Sequence, residues 1–215
     1  ALAFGAGRGG NVSITATDIT IQNGSFLASV VGSDASGTGG NLNINTRTLQ
    51  VTNRGQLATN TDGSGAGGTL TIQATEALVF DAAGATEGAA TGAFSRSGRG
   101  FVSPGLQVGN GGSIEITTPS LLLTNLANID ATAFQNGQGG NIAVNVQNLS
   151  VLNGGQIAAG TIGAANAGTV RIVATNAATF EGNSAGIPSG VFTDSQGTGV
   201  GGDINIRADS LTLDN

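Results

Sequence analysis

The chain has 215 residues, among them 38 Gly, 7 Arg and 13 acidic residues, and it contains no Lys, Cys or His. The net charge is −6, so the chain lacks the excess of basic residues that attracts nucleic acids and anionic membranes. The absence of Cys excludes disulfides and thiolate metal sites, and the absence of His removes the commonest general base. No apolar run approaches the ~20 residues of a membrane-spanning helix.

One pattern recurs along the whole chain. Each copy opens with a Gly pair, continues with alternating aliphatic residues, and reaches an Asn or an acidic residue fourteen places later. The copies begin at positions 9, 39, 67, 111, 139, 167 and 201, with Ala first in the pair at 167. Internal periodicity of this kind is typical of stacked repeats. We therefore expect one continuous solenoid over residues 1–215, forming part of a longer repeat protein.

Every copy predicts three short strands. The first shows period-two alternation, as in Val12 and Ile14, and the second follows it, as in Ile19 and Ile21. Such alternation indicates strands and not helices. One apolar residue in each of the first six copies marks the third strand, and these are Leu27, Leu57, Phe101, Ile129, Ile157 and Val191. The sequence therefore predicts an all-β fold, a right-handed parallel β-helix of about seven coils with ~28–30 residues and three strands per coil.

Two corners of each coil have their own sequence signals. The Gly pairs predict a first corner that needs φ > 0. At the second corner, the residues fourteen places into each copy predict a ladder, because Asn tolerates the left-handed conformation and its amide can bond to the next amide. Its members are Asn23, Asn53, Asp81, Asn125, Asn153, Glu181 and Asn215. A ligand-binding row is the alternative, and it would require outward-facing side chains.

Two copies carry extra residues, which we place between the second corner and the third strand, within 84–100 and 183–188. The first insertion holds Phe94, Arg96 and Arg99, an apolar residue beside two cations. Insertions on one edge of a solenoid often form its binding face. These three residues are a candidate binding loop for an acidic ligand or partner, and a solvated loop without a binding role is the alternative.

Other motifs point away from cofactors and catalysis. The segments 5–10 and 63–68 match GxGxxG but lead into predicted strands, so neither provides the helix N-terminus of a dinucleotide site. Asp34 and Asp62 lie in Gly/Ser loops, where a single carboxylate favours a turn over a Ca²⁺ site. Glu115 and Arg171 share an outward row but lie two coils apart, too far for a tight catalytic pair. We expect no catalytic residue, cofactor or metal.

The repeat resembles a known family. The stretch GGNIAVNVQNLSVLNGGQI, from Gly139 to Ile157, is similar to the repeats of filamentous haemagglutinin-type exoproteins, the secreted partners of bacterial two-partner secretion systems. The resemblance implies a long right-handed β-helical shaft, export through an outer-membrane transporter, and a role in adhesion, surface coating or fibre formation. It also implies an extracellular location at the bacterial surface.

Three functions follow as hypotheses. The first is a structural segment of a secreted surface filament or adhesin shaft, without catalysis, which contacts copies of itself or other cell-surface components. The second is a glycan- or protein-binding module that uses loop 84–100. The third is a polysaccharide-active β-helix, which the scattered carboxylates disfavour.

Overall fold

The computed structural model describes residues 1–33, 35–84, 90–98 and 108–214. These residues form β-strands and their connections, with no helix among them. The described part of the chain therefore offers no helix of the length and apolarity that a membrane crossing requires.

Seven long parallel strands, one per coil, form the main sheet. Each pairs with the long strand of the next coil, so that Leu42 lies opposite Leu70 and Ile142 opposite Val170. For coils 1 to 7 the strands are Val12–Ile21, Leu42–Thr52, Leu70–Asp81, Ile114–Thr124, Ile142–Leu152, Val170–Glu181 and Ile204–Asp214. The predicted all-β parallel solenoid of about seven coils is confirmed, and its right-handedness stays a prediction.

Two of the three strands predicted for each coil are halves of one long strand. In coil 5 the buried aliphatic residues are Ile142 and Val144 in the first half and Leu149 and Val151 in the second. The buried positions change from even to odd beyond Val146, where Gln147 pairs with neither neighbouring strand. An extra residue in a strand bends it and restores the inward alternation beyond the bend. The prediction of two separate strands is wrong because the strand stays continuous through this bend.

A second parallel sheet contains six strands of three residues. In coils 1 to 6 they are Phe26–Ala28, Gln56–Ala58, Gly92–Phe94, Asn128–Asp130, Gln156–Ala158 and Gly190–Phe192. Ala93 pairs with Leu57 and Ile129, and all three belong to the core. Phe101 was therefore the wrong marker for the strand of coil 3, and it lies outside the described residues. Val191 pairs with Ile157 as predicted.

The remaining wall is held by single bridges. A row of them runs from Val31 through Thr61 and Ser97 to Ser195, one bridge per coil. Leu2–Ala3 pairs in parallel with Val30–Val31 ahead of this row. Between the walls lies a continuous apolar core in which Phe80 and Phe180 replace the Val of the preceding coil.

The first corner is a column of stacked glycines. A Cβ built on Gly140 would lie 1.9 Å from the carbonyl oxygen of Gly112, and one on Gly68 would lie 2.0 Å from that of Gly40. These glycines are not among the positive-φ residues. The prediction that the glycines of this corner adopt φ > 0 is therefore wrong. The corner needs glycine because neighbouring backbones touch, and φ > 0 plays no part.

Asparagine side chains connect the coils next to this glycine column. Asn41 Oδ1 accepts a hydrogen bond from the backbone N–H of Thr69 at 3.0 Å, and Asn141 Oδ1 accepts one from Thr169 at 2.9 Å. Asn11 makes the same contact with the N–H of Asn41. The Asn of the GGN motif thus forms a side-chain ladder that the sequence analysis assigned only to the second corner.

Coils 3 and 6 share a structure that the other coils lack. Each has one extra residue in its long strand, seen as a register shift after Thr46 and after Val146. Their contacts to the preceding coil also match. The N–H of Arg54 donates to Thr91 Oγ1 at 2.7 Å, and the N–H of Gly154 donates to Ser189 Oγ at 2.9 Å. Arg54 and Gly154 are 100 residues apart. The features of coil 3 therefore recur once, in coil 6, and we call this recurrence the three-coil repeat.

Candidate binding surfaces

The second corner is a tight turn in coils 1, 2, 4 and 5. Asn23, Asn53, Asn125 and Asn153 have φ of 56, 40, 56 and 49°, and the residue after each also has positive φ. In coil 5 the N–H of Gly155 donates to the carbonyl of Leu152 at 3.0 Å across the turn. Two successive positive φ values with such a bond define a type I′ turn. Asn is therefore required here chiefly for its backbone conformation.

Side-chain bonds join part of the predicted ladder. Asn53 Nδ2 donates to Asn23 Oδ1, and Asn125 Nδ2 donates to Asp81 Oδ1, each at 2.8 Å. Asp81 nevertheless lies within its strand, opposite Thr52, and Glu181 likewise lies opposite Leu152.

Asp81 thus keeps a side-chain bond of the predicted ladder, but the prediction that these two acidic residues occupy the corner is wrong. The extra strand residue in coils 3 and 6 places them one position before the corner, which Ala82 and Gly182 occupy. Asn215, its last predicted member, lies outside the described residues.

The candidate binding loop is largely not an exposed loop. Phe94 ends the short strand of coil 3, Arg96 follows two residues later, and they are only 1% and 7% exposed. Phe94 is absent from the core cluster that contains its neighbour Ala93, so it faces the outer side of the short-strand sheet. The extra residues of coil 3 lie partly before and partly after this strand. The prediction of a single insertion within 84–100 is therefore wrong, because the strand divides the extra residues into two segments. Arg99 lies outside the described residues.

Arg96 forms a buried ion pair with the next coil. Its Nε and Nη2 lie 2.6 and 2.5 Å from Asp130 Oδ2, and the two side chains are 8% and 11% exposed. The guanidinium carbon lies 4.1 Å from the ring centroid of Phe94 and 5.9 Å from that of Phe134, within the range of cation–π contact. This arrangement fastens coil 3 to coil 4 and leaves the guanidinium enclosed.

The sequence alone did not identify Asp130 as a site residue, because its partner Arg96 is 34 residues away in the chain. Arg96 and Asp130 are neighbours because the Gly92–Phe94 strand pairs with Asn128–Asp130 of the next coil. Asp130 shares its row with Ala58, Phe94 and Ala158, and an acidic residue in a row of apolar residues was the available signal.

The insertion of coil 6 is a small hairpin. Asn183–Ser184 pairs antiparallel with Ile187–Pro188, and the turn between them has positive φ at Ala185 and Gly186. Ile187 is 40% exposed at the rim of the corner. The predicted insertion 183–188 thus coincides with an outward excursion of the chain.

A groove follows the bends of the long strands. It consists of three adjoining depressions with volumes of about 500, 590 and 160 Å³. Thr75 lines the first two, and Val173 lines the last two. The groove therefore crosses all seven coils on the outer face of the main sheet.

Charged residues lie at the two ends of this groove. In coil 2 Arg47 contacts Asp18 at 2.7 Å and Glu76 at 2.8 Å, each from an adjacent coil. Hydrogen bonds from Thr48 and then from Arg47 hold the pKa of Asp18 below its usual value. At the other end Arg171 and Arg207 line a single depression. Neither of these two has a salt bridge within the described part of the chain.

Metal and catalytic groupings are sparse. Within the described ranges no three carboxylates cluster as a metal site would require. Asp62 donates its backbone N–H to Val31, in keeping with a turn position, and Asp34 lies outside those ranges. Glu115 and Arg171 share one outward row with Ala143 between them, as the sequence analysis placed them.

Comparisons with family models, curated proteins and solved structures found no match for this chain.

Proposed function

We propose that this segment is a structural shaft that spaces other parts of a secreted bacterial surface protein. The observation that supports the proposal is the uninterrupted parallel ladder through all seven long strands. Each coil bonds to the coil above and the coil below, so the length of the structure grows with the number of coils. The number of repeats therefore determines how far the shaft extends, and this role requires no catalytic step.

The core favours a rod that keeps its shape. Leu42, Leu70, Ile114 and Ile142 occupy one position in successive coils and are at most 1% exposed. Equivalent residues stacked in this way give every coil the same cross-section, as a shaft needs. Close packing also makes the interior resist deformation.

The surface location rests on the resemblance of the repeats to haemagglutinin-type exoproteins. In this proposal the chain leaves the cell through an outer-membrane transporter and stands at the bacterial surface as part of a filament or adhesin. Burial of Phe94 and Arg96 removes support from the alternative in which they form an exposed binding loop.

Contact with further coils is also part of the proposal. In the last coil Ile204, Leu211 and Leu213 are 43%, 51% and 72% exposed, and in the first coil Val12, Ile19 and Leu27 are only partly buried against the core. Unpaired strand edges accept another strand readily. Further coils, or a second copy of this segment, would bury these side chains, and end-to-end stacking of copies would build an open filament.

The three-coil repeat offers a sharp test. Removing Gly39–Gln138 from the full-length protein deletes 100 residues and joins Thr38 to Gly139, so that one Gly-pair corner replaces its equivalent. At about 4.8 Å per coil, electron microscopy should show the exported rod shortened by ~14 Å. Duplicating the same residues should lengthen it equally.

A shaft should retain partner recognition in both length variants. If the shortened protein is exported and folded but no longer attaches to its surface, the segment is a binding module and the proposal is wrong. Duplication controls for loss of this particular sequence, because it keeps every original coil.

A further inference from the structure

We propose that the groove on the outer face of the main sheet binds an acidic polysaccharide, with carboxylate groups of the ligand held by Arg171 and Arg207. This inference concerns a ligand site and is independent of the shaft role. Three features of the groove lead to it: its continuity along the axis, the exposed hydroxyl and amide groups among its apolar side chains, and its unbalanced positive charge.

The groove has the shape for a chain-like ligand. It follows the column of bends from Thr17 in coil 1 to Arg207 in coil 7, a length of ~30 Å at about 4.8 Å per coil. It is shallow along this length and lies across the strands. A long, thin molecule lying parallel to the solenoid axis would therefore contact every coil.

The middle of the groove presents hydroxyl and amide groups. Thr117, Asn145, Gln147 and Thr175 are all exposed along it. Hydroxyl and carboxamide side chains both donate and accept hydrogen bonds, which suits the hydroxyl groups of sugars. Thr117 and Asn145 occupy one position in adjacent coils, and Val173 occupies it in the next, so the polar groups alternate with apolar side chains along the groove.

The charge of the groove opposes that of the protein. Among the described residues, its lining includes three arginines, Arg47, Arg171 and Arg207, and no acidic residue. The chain as a whole has a net charge of −6. Arg47 is already neutralised by Asp18 and Glu76, whereas Arg171 and Arg207 converge on one depression. Guanidinium groups prefer carboxylate, sulfate and phosphate partners, to which they donate paired hydrogen bonds.

Other chain-like ligands fit this surface poorly. A peptide strand would add to a sheet edge, but the groove crosses strands whose backbone groups are already paired with adjacent coils. Helical or proline-rich peptides need apolar or aromatic-lined grooves, and single-stranded nucleic acids need stacking platforms. No aromatic residue lines this groove. A polysaccharide that carries carboxylates can bond its hydroxyls to the threonine and amide side chains and its carboxylates to the two arginines.

The test measures binding of the folded protein to three polysaccharides: polygalacturonate, which carries carboxylates, dextran sulfate, and neutral dextran. Affinity electrophoresis at low salt should show retardation by polygalacturonate and none by dextran. The double variant Arg171→Gln/Arg207→Gln should bind about tenfold more weakly, because it loses both charge-assisted contacts. Raising the salt from ~0.1 to ~1 M should have a similar effect, since it shortens the screening length from ~10 to ~3 Å.

Two controls make the outcome decisive. Arg54→Gln removes one positive charge from an exposed turn away from the groove and should leave binding unchanged. Asn145→Ala/Gln147→Ala leaves the arginines in place but strips amides from the middle of the groove, and it should weaken binding about threefold. Circular dichroism would confirm that each variant retains its fold.

Several results would overturn the inference. Unchanged binding in the double arginine variant would remove the anion site, and equal retardation by neutral dextran would remove charge recognition. If only dextran sulfate binds, the ligand is a sulfated chain and the carboxylate assignment is wrong. If the amide variant binds like the unmodified protein, the ligand contacts the arginines alone and does not occupy the groove.

Discussion

The two corners of each coil differ in what they tolerate. At the first corner glycines such as Gly112 and Gly140 stack so closely that no side chain fits between coils. At the second corner the chain makes a two-residue turn in four coils, yet in coil 6 it makes a hairpin at Asn183–Pro188. Direct backbone contact forbids variation at one corner, and outward-facing turns permit it at the other.

The hydrogen bonds at the second corner explain how variation is absorbed. Coils 3 and 6 do not form the two-residue turn, and in each of them a side-chain hydroxyl accepts a hydrogen bond from a backbone N–H of the preceding coil. Thr91 accepts the N–H of Arg54, and Ser189 accepts the N–H of Gly154. Ser189 Oγ also donates to the carbonyl of Glu181 at 2.8 Å. A corner can therefore change its path as long as its buried backbone groups keep a partner.

The first corner should give the largest effect. Gly140→Ala forces a methyl group to within 1.9 Å of the Gly112 carbonyl oxygen, and since backbone must move, we expect a loss of at least about 4 kcal/mol in the free energy of unfolding. Gly5→Ala is the control, because nothing lies within 4 Å of its added Cβ. Chemical denaturation of both variants measures the difference. Similar stabilities would show that backbone stacking does not restrict the first corner.

The next effect concerns the wall displaced by the insertion of coil 3. Asp130→Ala leaves Arg96 buried without its carboxylate, and we expect a loss of about 3 kcal/mol in unfolding free energy. The double replacement Arg96→Met/Asp130→Leu removes both charges and should recover most of that loss. A double variant as unstable as Asp130→Ala would indicate that packing, and not the loss of the carboxylate from Arg96, dominates at this site.

Backbone conformation at the turns should give a smaller effect of opposite sign. Arg54 is exposed and has φ of 69°, a conformation that costs non-glycine residues energy. We expect Arg54→Gly to raise the free energy of unfolding by about 1 kcal/mol. The reciprocal change Gly24→Arg, at φ of 76° with open space around it, should lower it by a similar amount. Destabilisation by Arg54→Gly would contradict the assignment of strain to this turn.

The smallest effect is expected at the hairpin. Replacing residues 182–189 by Asn-Gly-Gly, the sequence of the turn at 153–155, removes the excursion and should change unfolding free energy by less than about 1 kcal/mol. Thermal unfolding with the same cooperativity would support a corner that tolerates either path. Loss of the folded state would show that the hairpin is needed by the coil.

The sequence predicted what depends on periodicity and missed what depends on where extra residues fall. Alternation at residues such as Ile142 and Val144 predicted the sheet because burial on one face requires period two. A count of fourteen residues placed Asp81 at the corner, yet an extra residue in the strand shifts it back by one. Spacing alone cannot distinguish a bulge within a strand from a longer turn after it.

The prediction of an exposed binding loop at Phe94 and Arg96 is wrong for the same reason. A total of extra residues does not show that a strand at Gly92–Phe94 divides them, so Phe94 and Arg96 were assigned to a loop. The groove was also invisible in the sequence, because Arg171 and Arg207 come together only through the pairing of Val173 with Arg207 and of Arg171 with Asn205. Register determines which side chains become neighbours across coils.

Electron microscopy of the native full-length protein tests the central claim most directly. We predict straight rods whose images contain an axial repeat near 4.8 Å, the spacing of stacked coils, with this segment inside the rod. Compact particles without that axial repeat, or rods in which antibodies against this segment label only a terminal knob, would contradict the assignment of these coils to a shaft.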